Sequence, residues 1–222
     1  MRDMFATIAP KYDFITRVFS YGMDQRWKRL AVARAGLAAC PKILDLACGT
    51  GDFAKLVASR YPEAQVVAAD LTEPMLLRSN LRQCVSADAA ALPFASTSFD
   101  AVFIGYGLRN FPRLSTALEE VYRVLKPGGV LVSLDFFLPE RSWLQRLYLA
   151  YLYGQGAFWG VVLHGRSRVY TYIPDSLRSF MSAKSFSRLL DKMGFAEVTA
   201  RTFLLGGISV HWAWRRDRSR TT

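Results

Sequence analysis

Cysteine and histidine are scarce in this sequence. The 222 residues include three cysteines, Cys40, Cys48 and Cys84, whose irregular spacing provides neither a disulfide framework nor a zinc motif. The two histidines, His164 and His211, are far apart in the chain, so a histidine-based metal site is not expected. The sequence therefore predicts a protein without a metal, in a reducing compartment.

An uninterrupted apolar run of membrane-spanning length is also missing. The stretch from Trp143 to Leu163 is rich in aromatic and aliphatic residues, but Gln145, Arg146 and three glycines interrupt it. Because a span needs about 20 consecutive apolar residues, this stretch predicts either a buried pair of helices or an apolar wall for a substrate. The N-terminal residues contain Asp3 and no apolar segment, which does not fit a signal peptide and predicts a cytoplasmic location.

Acidic residues are few relative to basic ones. The chain has 18 Asp and Glu against 29 Lys and Arg, for a formal net charge of +11. The segment 45–140 carries a net charge of −3, so the rest of the chain carries +14. This charge suits a nucleic acid or an anionic membrane. The lack of zinc-finger, KH and RRM signatures argues against nucleic acid.

Short apolar runs alternate with helix-like segments over most of the chain. The runs predict five strands, KILDLA, QVVAAD, CVSAD, SFDAVFIGY and VLVSLDFF, followed by an antiparallel pair, FAEVTARTFL and ISVHWAW. A further helix is expected from Asp24, as its N-cap, to about Ala38. The alternation predicts one α/β domain with a parallel sheet and helices on both faces.

A glycine-rich loop follows the first predicted strand. Gly49 and Gly51 allow a ligand to approach the backbone closely. Asp70 ends the second strand, where it can accept both hydroxyls of a ribose. Gly49, Gly51 and Ala54 also satisfy the G-x-G-x-x-A pattern of dinucleotide sites, so that ligand must be considered.

The acids around this loop favour a cationic ligand without phosphate. Asp45 precedes the glycines and Asp52 stands at the helix start, where a pyrophosphate prefers bare N–H donors. Asp88 ends the third strand, where it can meet an adenine amino group. S-adenosylmethionine combines adenine, ribose, a sulfonium and an amino-acid end, and it suits this set of acids. Since ligands bind at the carboxyl edge of a doubly wound sheet, acids at successive strand ends predict a site there.

Several motifs together resemble one enzyme family. They are Phe5-x-x-Ile8-Ala9-x-x-Tyr12-Asp13, Ser20-x-Gly22 with Trp27, the loop 45–52, Asp88-Ala89 with Leu92-Pro93-Phe94, Tyr106-Gly107-Leu108-Arg109-Asn110, Leu125-Lys126-Pro127-Gly128-Gly129, and Gly206-Gly207-Ile208 with His211. With them the chain resembles the ubiquinone/menaquinone biosynthesis C-methyltransferases, a family of class I S-adenosylmethionine-dependent methyltransferases, along almost its whole length. Thr16 and Tyr106 depart from the usual Asn and Phe, and residues 155–168 match poorly.

The resemblance implies a fold and a cofactor. The fold is a Rossmann-like, doubly wound sheet of seven mostly parallel strands, with the seventh inserted antiparallel. One domain is expected, with a helical N-terminal cover (1–38), a cofactor-binding core (39–140), a helical substrate-side region (141–194), a strand pair (195–214) and a basic tail (215–222). S-adenosylmethionine is the implied cofactor. Its expected ligands are Asp45, Gly49, Thr50, Gly51, Asp70, Leu71, Asp88, Ala89 and Gly105.

The resemblance also implies direct methyl transfer to a ring carbon of a polyprenylated quinol. A methyl group on sulfonium is already activated, so the enzyme must align donor and acceptor and help to deprotonate a phenolic hydroxyl. Arg109 is expected to stabilise the phenolate and Asn110 to orient it, with Tyr12 and His211 as candidates for the proton path. A structural salt bridge of Arg109 and a core position of His211 are the competing interpretations. Demethylmenaquinol is the favoured acceptor, while a benzoquinol stays open.

An acceptor in the bilayer predicts peripheral attachment to a membrane. Arg26, Lys28 and Arg29 are expected to face an anionic surface. An apolar opening toward it is expected from Trp143, Leu147, Tyr148, Leu149, Tyr151, Leu152, Phe158 and Trp159. A nucleotide-dependent oxidoreductase, a non-enzymatic binder, and a methyltransferase for another aromatic or prenylated compound stay open, as does a homo-oligomer.

Overall fold

The computed structural model describes residues 12–166 and 170–217. Within these residues the chain forms seven strands: β1 (Lys42–Leu46), β2 (Gln65–Asp70), β3 (Cys84–Ser86), β4 (Phe99–Gly105), β5 (Leu125–Phe136), β6 (Phe195–Phe203) and β7 (Ile208–Arg215). The same residues form eight α-helices: α1 (Tyr12–Phe19), α2 (Asp24–Arg34), α3 (Asp52–Arg60), α4 (Glu73–Ser79), α5 (Leu114–Val124), α6 (Ser142–His164), α7 (Tyr172–Arg178) and α8 (Ala183–Lys192). Two 3-10 turns, Leu108–Asn110 and Leu204–Gly206, follow β4 and β6.

The described strands form one sheet in the order β3-β2-β1-β4-β5-β7-β6. Strands β1 to β5 pair in parallel. Strand β7 is inserted antiparallel between β5 and β6. Strands β2 and β3 are therefore added on one side of β1, and β4 and β5 on the other. The boundary between β1 and β4 is the switch point at which such sheets bind ligands. The predicted doubly wound sheet and its antiparallel seventh strand are confirmed.

Helices cover the two faces of the sheet, and each face has its own apolar core. Side chains alternate along β5, so Val132 packs with α1, α2 and α7, whereas Leu131 packs with α5 and α8. The indole N–H of Trp212, in β7, donates a hydrogen bond to the Ala31 carbonyl of α2 at 3.0 Å. This bond and the surrounding core attach the N-terminal helices to the sheet.

Helix α2 and strand β5 begin differently from the sequence prediction. Helix α2 starts at Asp24 itself and ends at Arg34, well before Ala38. The Asp24 carboxylate caps no backbone N–H, because it lies 3.3 Å from the Nζ of Lys28 in the same helix. Strand β5 already begins at Leu125, before the predicted strand VLVSLDFF, and its pairing with β4 shifts register.

The apolar stretch after β5 forms one helix, so the predicted helix pair is wrong. Helix α6 runs for 23 residues, and its interior glycines do not interrupt it. Gly156 is needed for packing, since a Cβ there would lie 2.9 Å from the Tyr170 carbonyl oxygen. In the described part of the chain, no helix combines the length and the apolar character that crossing a membrane requires.

Candidate functional site

A cleft of about 990 Å³, counted out to open solvent, lies at the carboxyl ends of β1, β2 and β4. Six of the nine residues expected to bind the cofactor line it: Gly49, Asp70, Leu71, Asp88, Ala89 and Gly105. The other three, Asp45, Thr50 and Gly51, are not among its lining residues. The cleft lies at the switch point of the sheet, where the acids at the strand ends predicted a site.

The loop between β1 and α3 is shaped by left-handed backbone conformations. Ala47, Gly49 and Gly51 have φ values of 54°, 55° and 81°. A residue other than glycine in this region is strained by about 1–3 kcal/mol, which makes Ala47 a strained position beside the cleft. A Cβ at Gly51 would lie 2.6 Å from Cδ1 of Leu81. The glycine motif therefore serves the tight turn as well as access to the backbone.

Asp70 holds this loop against the end of β2. Its Oδ2 accepts a hydrogen bond from the Gly49 N–H at 2.9 Å, and its Oδ1 accepts one from the Thr72 N–H at 2.8 Å. Burial raises the pKa of Asp70, and these backbone hydrogen bonds oppose the rise. Each carboxylate oxygen can accept a second hydrogen bond, so a pair of ribose hydroxyls can still bind here.

The two acids beside the glycines are already partnered by the protein. Asp45 is buried below the start of α3, where its Oδ2 accepts a hydrogen bond from the Ala54 N–H at 2.8 Å. Burial raises the pKa of Asp45 to about 7. The Asp52 carboxylate contacts the Nζ of Lys28. The structure therefore gives Asp45 a helix-capping role and Asp52 a cationic partner, and it brings neither into the cleft.

Lys28 does not face outward, which corrects the prediction that it contacts a membrane. Its side chain is 4% exposed, and it joins Asp24 of α2 to Asp52 of α3. Its Nζ also lies 5.6 Å from the centre of the Tyr106 ring. The i, i+4 spacing of Asp24 and Lys28 was the sequence signal for this pair.

Asp88 stands at the rim of the cleft. Its Oδ1 accepts a hydrogen bond from the Ala90 N–H at 2.9 Å, and its Oδ2 lies 3.2 Å from the guanidinium of Arg113. The two side chains are 49% and 63% exposed, so this ion pair is weak. Asp88 can therefore exchange Arg113 for a ligand amino group. Arg113 also lines the cleft, and the sequence reasoning missed it.

The residues after β4 form the floor of the cleft. A Cβ at Gly105 would lie 3.0 Å from the Phe53 ring, and one at Gly107 would lie 2.7 Å from the Cβ of Ala47. Tyr106, between these glycines, has a strained left-handed φ of 58°. It lines both the cleft and a second cavity. Tyr106 thus separates the two spaces.

The second cavity is narrow: its outline of about 270 Å³ includes open solvent, and the enclosed space is about that of one water molecule. Its walls come from α1, from the segment after β4, from the end of β5 and from the start of α7, and they consist of Ile15, Thr16, Phe19, Tyr106, Arg109, Phe136, Tyr172 and Ile173. Most of this lining is apolar or aromatic. Its fixed positive charge is Arg109, so the chemistry of this lining suits a ring compound that bears a polar or anionic oxygen, provided that the walls move apart to admit it.

Arg109 and Asn110 line different spaces. Arg109 lines the second cavity and Asn110 the cleft. Both donate hydrogen bonds to the Tyr106 carbonyl, at 2.9 and 3.3 Å. Nη1 of Arg109 also lies 2.5 Å from Oδ1 of Asp135, and its guanidinium stacks 5.1 Å from the centre of the Phe136 ring. Arg109 therefore forms a salt bridge and faces a cavity, so both interpretations of it describe part of the structure.

Asp135 is a residue that the sequence reasoning missed. It is fully buried at the end of β5. Burial raises its pKa, while the positive charge of Arg109 and the backbone N–H of Phe136 oppose the rise. The available signal was an acid inside the apolar run VLVSLDFF, where a lone carboxylate is expensive unless it has a partner.

The structure does not bring His211 to either space. Its Nε2 lies 3.1 Å from the Ala183 carbonyl oxygen, and its ring packs against Phe137 and Phe186. Burial lowers the pKa of His211 to about 4, so the ring is neutral at physiological pH. The geometry is that of a core histidine and not of a proton carrier. Tyr12 begins α1, but its side chain lies outside the described residues.

The C-terminal glycine motif attaches α6 to the sheet. The Tyr148 hydroxyl, in α6, donates a hydrogen bond to the Gly207 carbonyl at 2.9 Å. A Cβ at Gly207 would lie 2.5 Å from Cζ of the Tyr148 ring. Gly206, beside it, has a φ of 93°. The motif therefore fixes the position of α6.

Helices α1 and α6 share an exposed face rich in apolar and aromatic side chains. The rings of Phe14 and Trp159 meet at 5.5 Å between centres, and Tyr21 stacks on Tyr151 at 6.2 Å. The exposed members of this apolar face are Phe14, Tyr21, Trp143, Leu147, Tyr151, Phe158, Val161 and Val162. Among the residues predicted to open toward a membrane, Leu152 is buried instead, and Tyr148, Leu149 and Trp159 are partly buried.

Comparison with known proteins points to one family. The model of the ubiE/COQ5 methyltransferase family matches residues 1–215. Ubiquinone/menaquinone biosynthesis C-methyltransferase UbiE of Desulfotalea psychrophila is 40% identical over 96% of this chain and 89% of that protein. Demethylmenaquinone methyltransferase of Thermus thermophilus is 39% identical over 94% of this chain and 98% of that protein. Phosphoethanolamine N-methyltransferase 2 of Haemonchus contortus, in complex with S-adenosyl-L-methionine, shares the fold with a TM-score of 0.63 at 16% identity, covering 85% of this chain and 52% of that one.

Proposed function

Since the chain belongs to the ubiE/COQ5 methyltransferase family, we propose that it methylates a ring carbon of a polyprenylated quinol, with demethylmenaquinol as the favoured acceptor. Membership makes the protein an S-adenosylmethionine-dependent methyltransferase of quinone biosynthesis. Family membership therefore argues against the alternative functions of a nucleotide-dependent oxidoreductase and a non-enzymatic binder. The head group and the prenyl tail are the finer parts of the proposal.

The observation that carries the proposal is the pair of spaces on either side of Tyr106. The cleft takes the cofactor, and the second cavity widens to take the aromatic head group of the acceptor. Tyr106 lines both, so donor and acceptor meet beside its ring. Such alignment alone can supply about 7–11 kcal/mol of the barrier reduction.

The residues of the cleft fit the cofactor. Gly105 and Gly107 keep the floor of the cleft open, because a Cβ at either position would collide with Phe53 or Ala47. Asp70 offers its carboxylate to the ribose, and Asp88 and Ala89 lie where the adenine would bind. When bound, S-adenosylmethionine supplies an activated methyl group, so the protein needs to provide no further activation of the donor.

The residues of the second cavity act on the acceptor. The Arg109 guanidinium remains charged at all relevant pH values, so it stabilises negative charge on a phenolic oxygen. Phe136 and Tyr172 provide aromatic walls for the ring. Asn110 lines the cleft beside Tyr106, and its Oδ1 is buried without a hydrogen-bond partner among the described residues. That oxygen is available to orient a hydroxyl of the acceptor.

A transfer assay with purified protein tests this function. Demethylmenaquinol and a demethylated benzoquinol with matched prenyl tails are each kept reduced and incubated with S-adenosylmethionine. Mass spectrometry then follows the methylated product. We expect faster methylation of the naphthoquinol. Faster methylation of the benzoquinol would change the assigned head group, and no methylation of either would refute the proposal.

We also propose that the enzyme works at a membrane surface, where such acceptors reside. The apolar face of α1 and α6 supports this location. On α1, Ile15, Thr16 and Phe19 line the second cavity, whereas Phe14 and Tyr21 belong to the apolar face. The helix therefore connects the lipid-facing surface with the acceptor site. A contiguous exposed apolar surface of this kind marks an interaction site.

Positive charge at this surface supports an anionic membrane. Arg17 of α1 and Arg146 of α6 are exposed on the two helices that carry the apolar face. Arg26 and Arg29 are exposed on α2, so they can face an anionic membrane as expected, whereas the buried Lys28 cannot. Each such residue near an anionic leaflet contributes about 1 kcal/mol.

Vesicle co-sedimentation tests the membrane proposal. Binding should rise with the fraction of phosphatidylglycerol in phosphatidylcholine vesicles and fall with salt. Leu147→Ser with Phe158→Ser should weaken binding, while the control Leu77→Ser, an exposed leucine on α4, should not. Equal partitioning to neutral and anionic vesicles would remove the electrostatic part. Unchanged binding of the double variant would remove the apolar part.

A further inference from the structure

The ion pair between Arg109 and Asp135 is too deeply buried to be explained by stability. The side chains of Arg109 and Asp135 are 3% and 0% exposed. Removing two charges from water costs several kcal/mol per ion, and an apolar pair of similar volume is often as stable or more stable. Arg109 of this pair also lines a cavity whose other walls are mostly apolar or aromatic. These features point to a role in the reaction.

The geometry around Asp135 fixes the pose of Arg109. Oδ1 of Asp135 accepts a hydrogen bond from Nη1 of Arg109 at 2.5 Å and one from the Phe136 N–H at 2.8 Å. The same Nη1 donates to the Tyr106 carbonyl at 2.9 Å, and the guanidinium stacks on the Phe136 ring. Because one edge of the guanidinium is held in this way, its remaining surface faces the second cavity in one orientation.

We infer that Asp135 is a positioning residue of the methyl transfer: it holds the Arg109 guanidinium at the wall of the second cavity and sets the charge that a phenolic hydroxyl meets there. The inference rests on the proposed function and adds a residue to it. Asp135 is not among the residues that line either space, so it acts through Arg109.

Other titratable groups also surround this pair. Tyr172 of α7 is hydrogen-bonded by Arg109, although burial raises the pKa of its hydroxyl. Tyr148 of α6 lies within electrostatic range of both Arg109 and Asp135, and burial raises the pKa of that hydroxyl as well. With both tyrosines neutral, the carboxylate of Asp135 offsets the positive charge of Arg109. Removal of that carboxylate leaves the Arg109 charge unopposed.

This arrangement makes a prediction for the variant Asp135→Asn, which keeps the size of the side chain and removes its charge. Arg109 loses its anchor, and displacement of a catalytic group by about 1 Å can cost about 100-fold in rate. We expect kcat to fall by about that factor, with KM for the quinol and the dissociation constant for S-adenosylmethionine changed by less than about threefold. Asp135→Glu, which keeps the charge, should restore part of the loss.

The ionisation of a bound phenol separates a positioning role from a structural one. 4-Nitrophenol, whose phenolate absorbs visible light, serves as a probe of the second cavity and needs no methyl transfer. In Asp135→Asn the pKa of bound 4-nitrophenol should fall, because the Arg109 charge is unopposed. In Arg109→Met it should rise. A purely structural role of Asp135 predicts no shift in Asp135→Asn protein that remains folded, whereas the rise in Arg109→Met is expected with either role.

A double-mutant cycle completes the test. If Asp135 acts only through Arg109, Arg109→Met with Asp135→Asn should turn over no more slowly than Arg109→Met alone. The double variant should also be more stable than Arg109→Met, which leaves a buried carboxylate unpaired. Multiplicative losses of kcat, or a wild-type kcat in Asp135→Asn, would overturn the inference. So would the absence of 4-nitrophenol binding to the wild type.

The two levels of the proposal fail differently. Wild-type protein that binds and ionises 4-nitrophenol as expected but methylates no quinol would refute the proposed function and leave the role of Asp135 intact. Wild-type protein that methylates demethylmenaquinol, with Asp135→Asn unchanged in rate and in probe ionisation, would refute the role of Asp135 alone.

Discussion

The cleft and the second cavity meet at Tyr106, yet they are built in different ways. The cleft is formed by strand ends and by the tight turns directly after them, so Gly49, Asp70 and Gly105 enter it through local backbone geometry. The second cavity is assembled from α1, α7 and two strand ends that are far apart in the sequence. A site for a common cofactor can therefore be recognised from local motifs, whereas the proposed acceptor site depends on packing between distant segments.

Damage to the second cavity alone should impair catalysis and leave cofactor binding intact. Arg109→Ala should lower kcat by about 100- to 1,000-fold, the cost of removing one group that stabilises developing negative charge. Titration with S-adenosylmethionine should give a nearly unchanged dissociation constant, because Arg109 is not among the residues that line the cleft. Arg109→Lys, which keeps a cation for Asp135, controls for folding. Full turnover in Arg109→Ala would remove the mechanism described for the second cavity.

Asp45, buried beside the cleft, should make the stability of the protein depend on pH. Burial raises its pKa from 3.8 to about 7 in the folded protein. Because the folded value is the higher one, protonation of Asp45 stabilises the protein at low pH, and this contribution is lost as pH rises through 7. Asp45→Asn should remove about 2–4 kcal/mol of this dependence between about pH 5 and pH 8. Urea denaturation of both proteins at several pH values measures it, and parallel curves would contradict the prediction.

The converse experiment damages only the cleft. Asp70→Ala should weaken binding of S-adenosylmethionine by about 1.5–3 kcal/mol, the range for hydrogen bonds to a charged group. Asp100→Ala is a matched control, because Asp100 lies near the start of β4, at the end of the strand away from the cleft, and pairs with Lys126. Isothermal titration calorimetry measures both. An equal effect of the two substitutions would withdraw the ribose-binding role of Asp70.

The smallest expected effects concern the packing of α6 on the sheet. Gly207→Ala should destabilise the protein by about 1–3 kcal/mol, because its Cβ would overlap the Tyr148 ring that attaches α6. Gly154→Ala, on an open side of α6, should instead stabilise it by about 0.5–1 kcal/mol. Thermal unfolding compares the two variants. Stabilisation by both would mean that α6 is not seated on Gly207.

Much of the fold could be predicted from local patterns. Alternating apolar runs and helical segments indicated the strands, and the resemblance supplied their order, which the sheet confirms. The predicted end of α2 at about Ala38 was wrong, and so was the predicted pair of helices in place of the single helix α6. In α6 a tertiary contact overrode the local signal, because Gly156 fits closely against Tyr170 instead of ending a helix. In α2 the competing interaction is local, because the Asp24 carboxylate pairs with Lys28 one turn along the same helix.

The candidate site divides in the same way. Local patterns were enough to predict the glycine turn, the acids at the strand ends and the segment that carries Arg109, since these depend on residues close together in the chain. The packing of distant segments places Lys28 against Asp52, His211 in the core and Asp135 against Arg109. The physical reason is that the cost of burying a charge depends on its partner, and that partner is brought into contact by strands and helices whose packing no local pattern encodes.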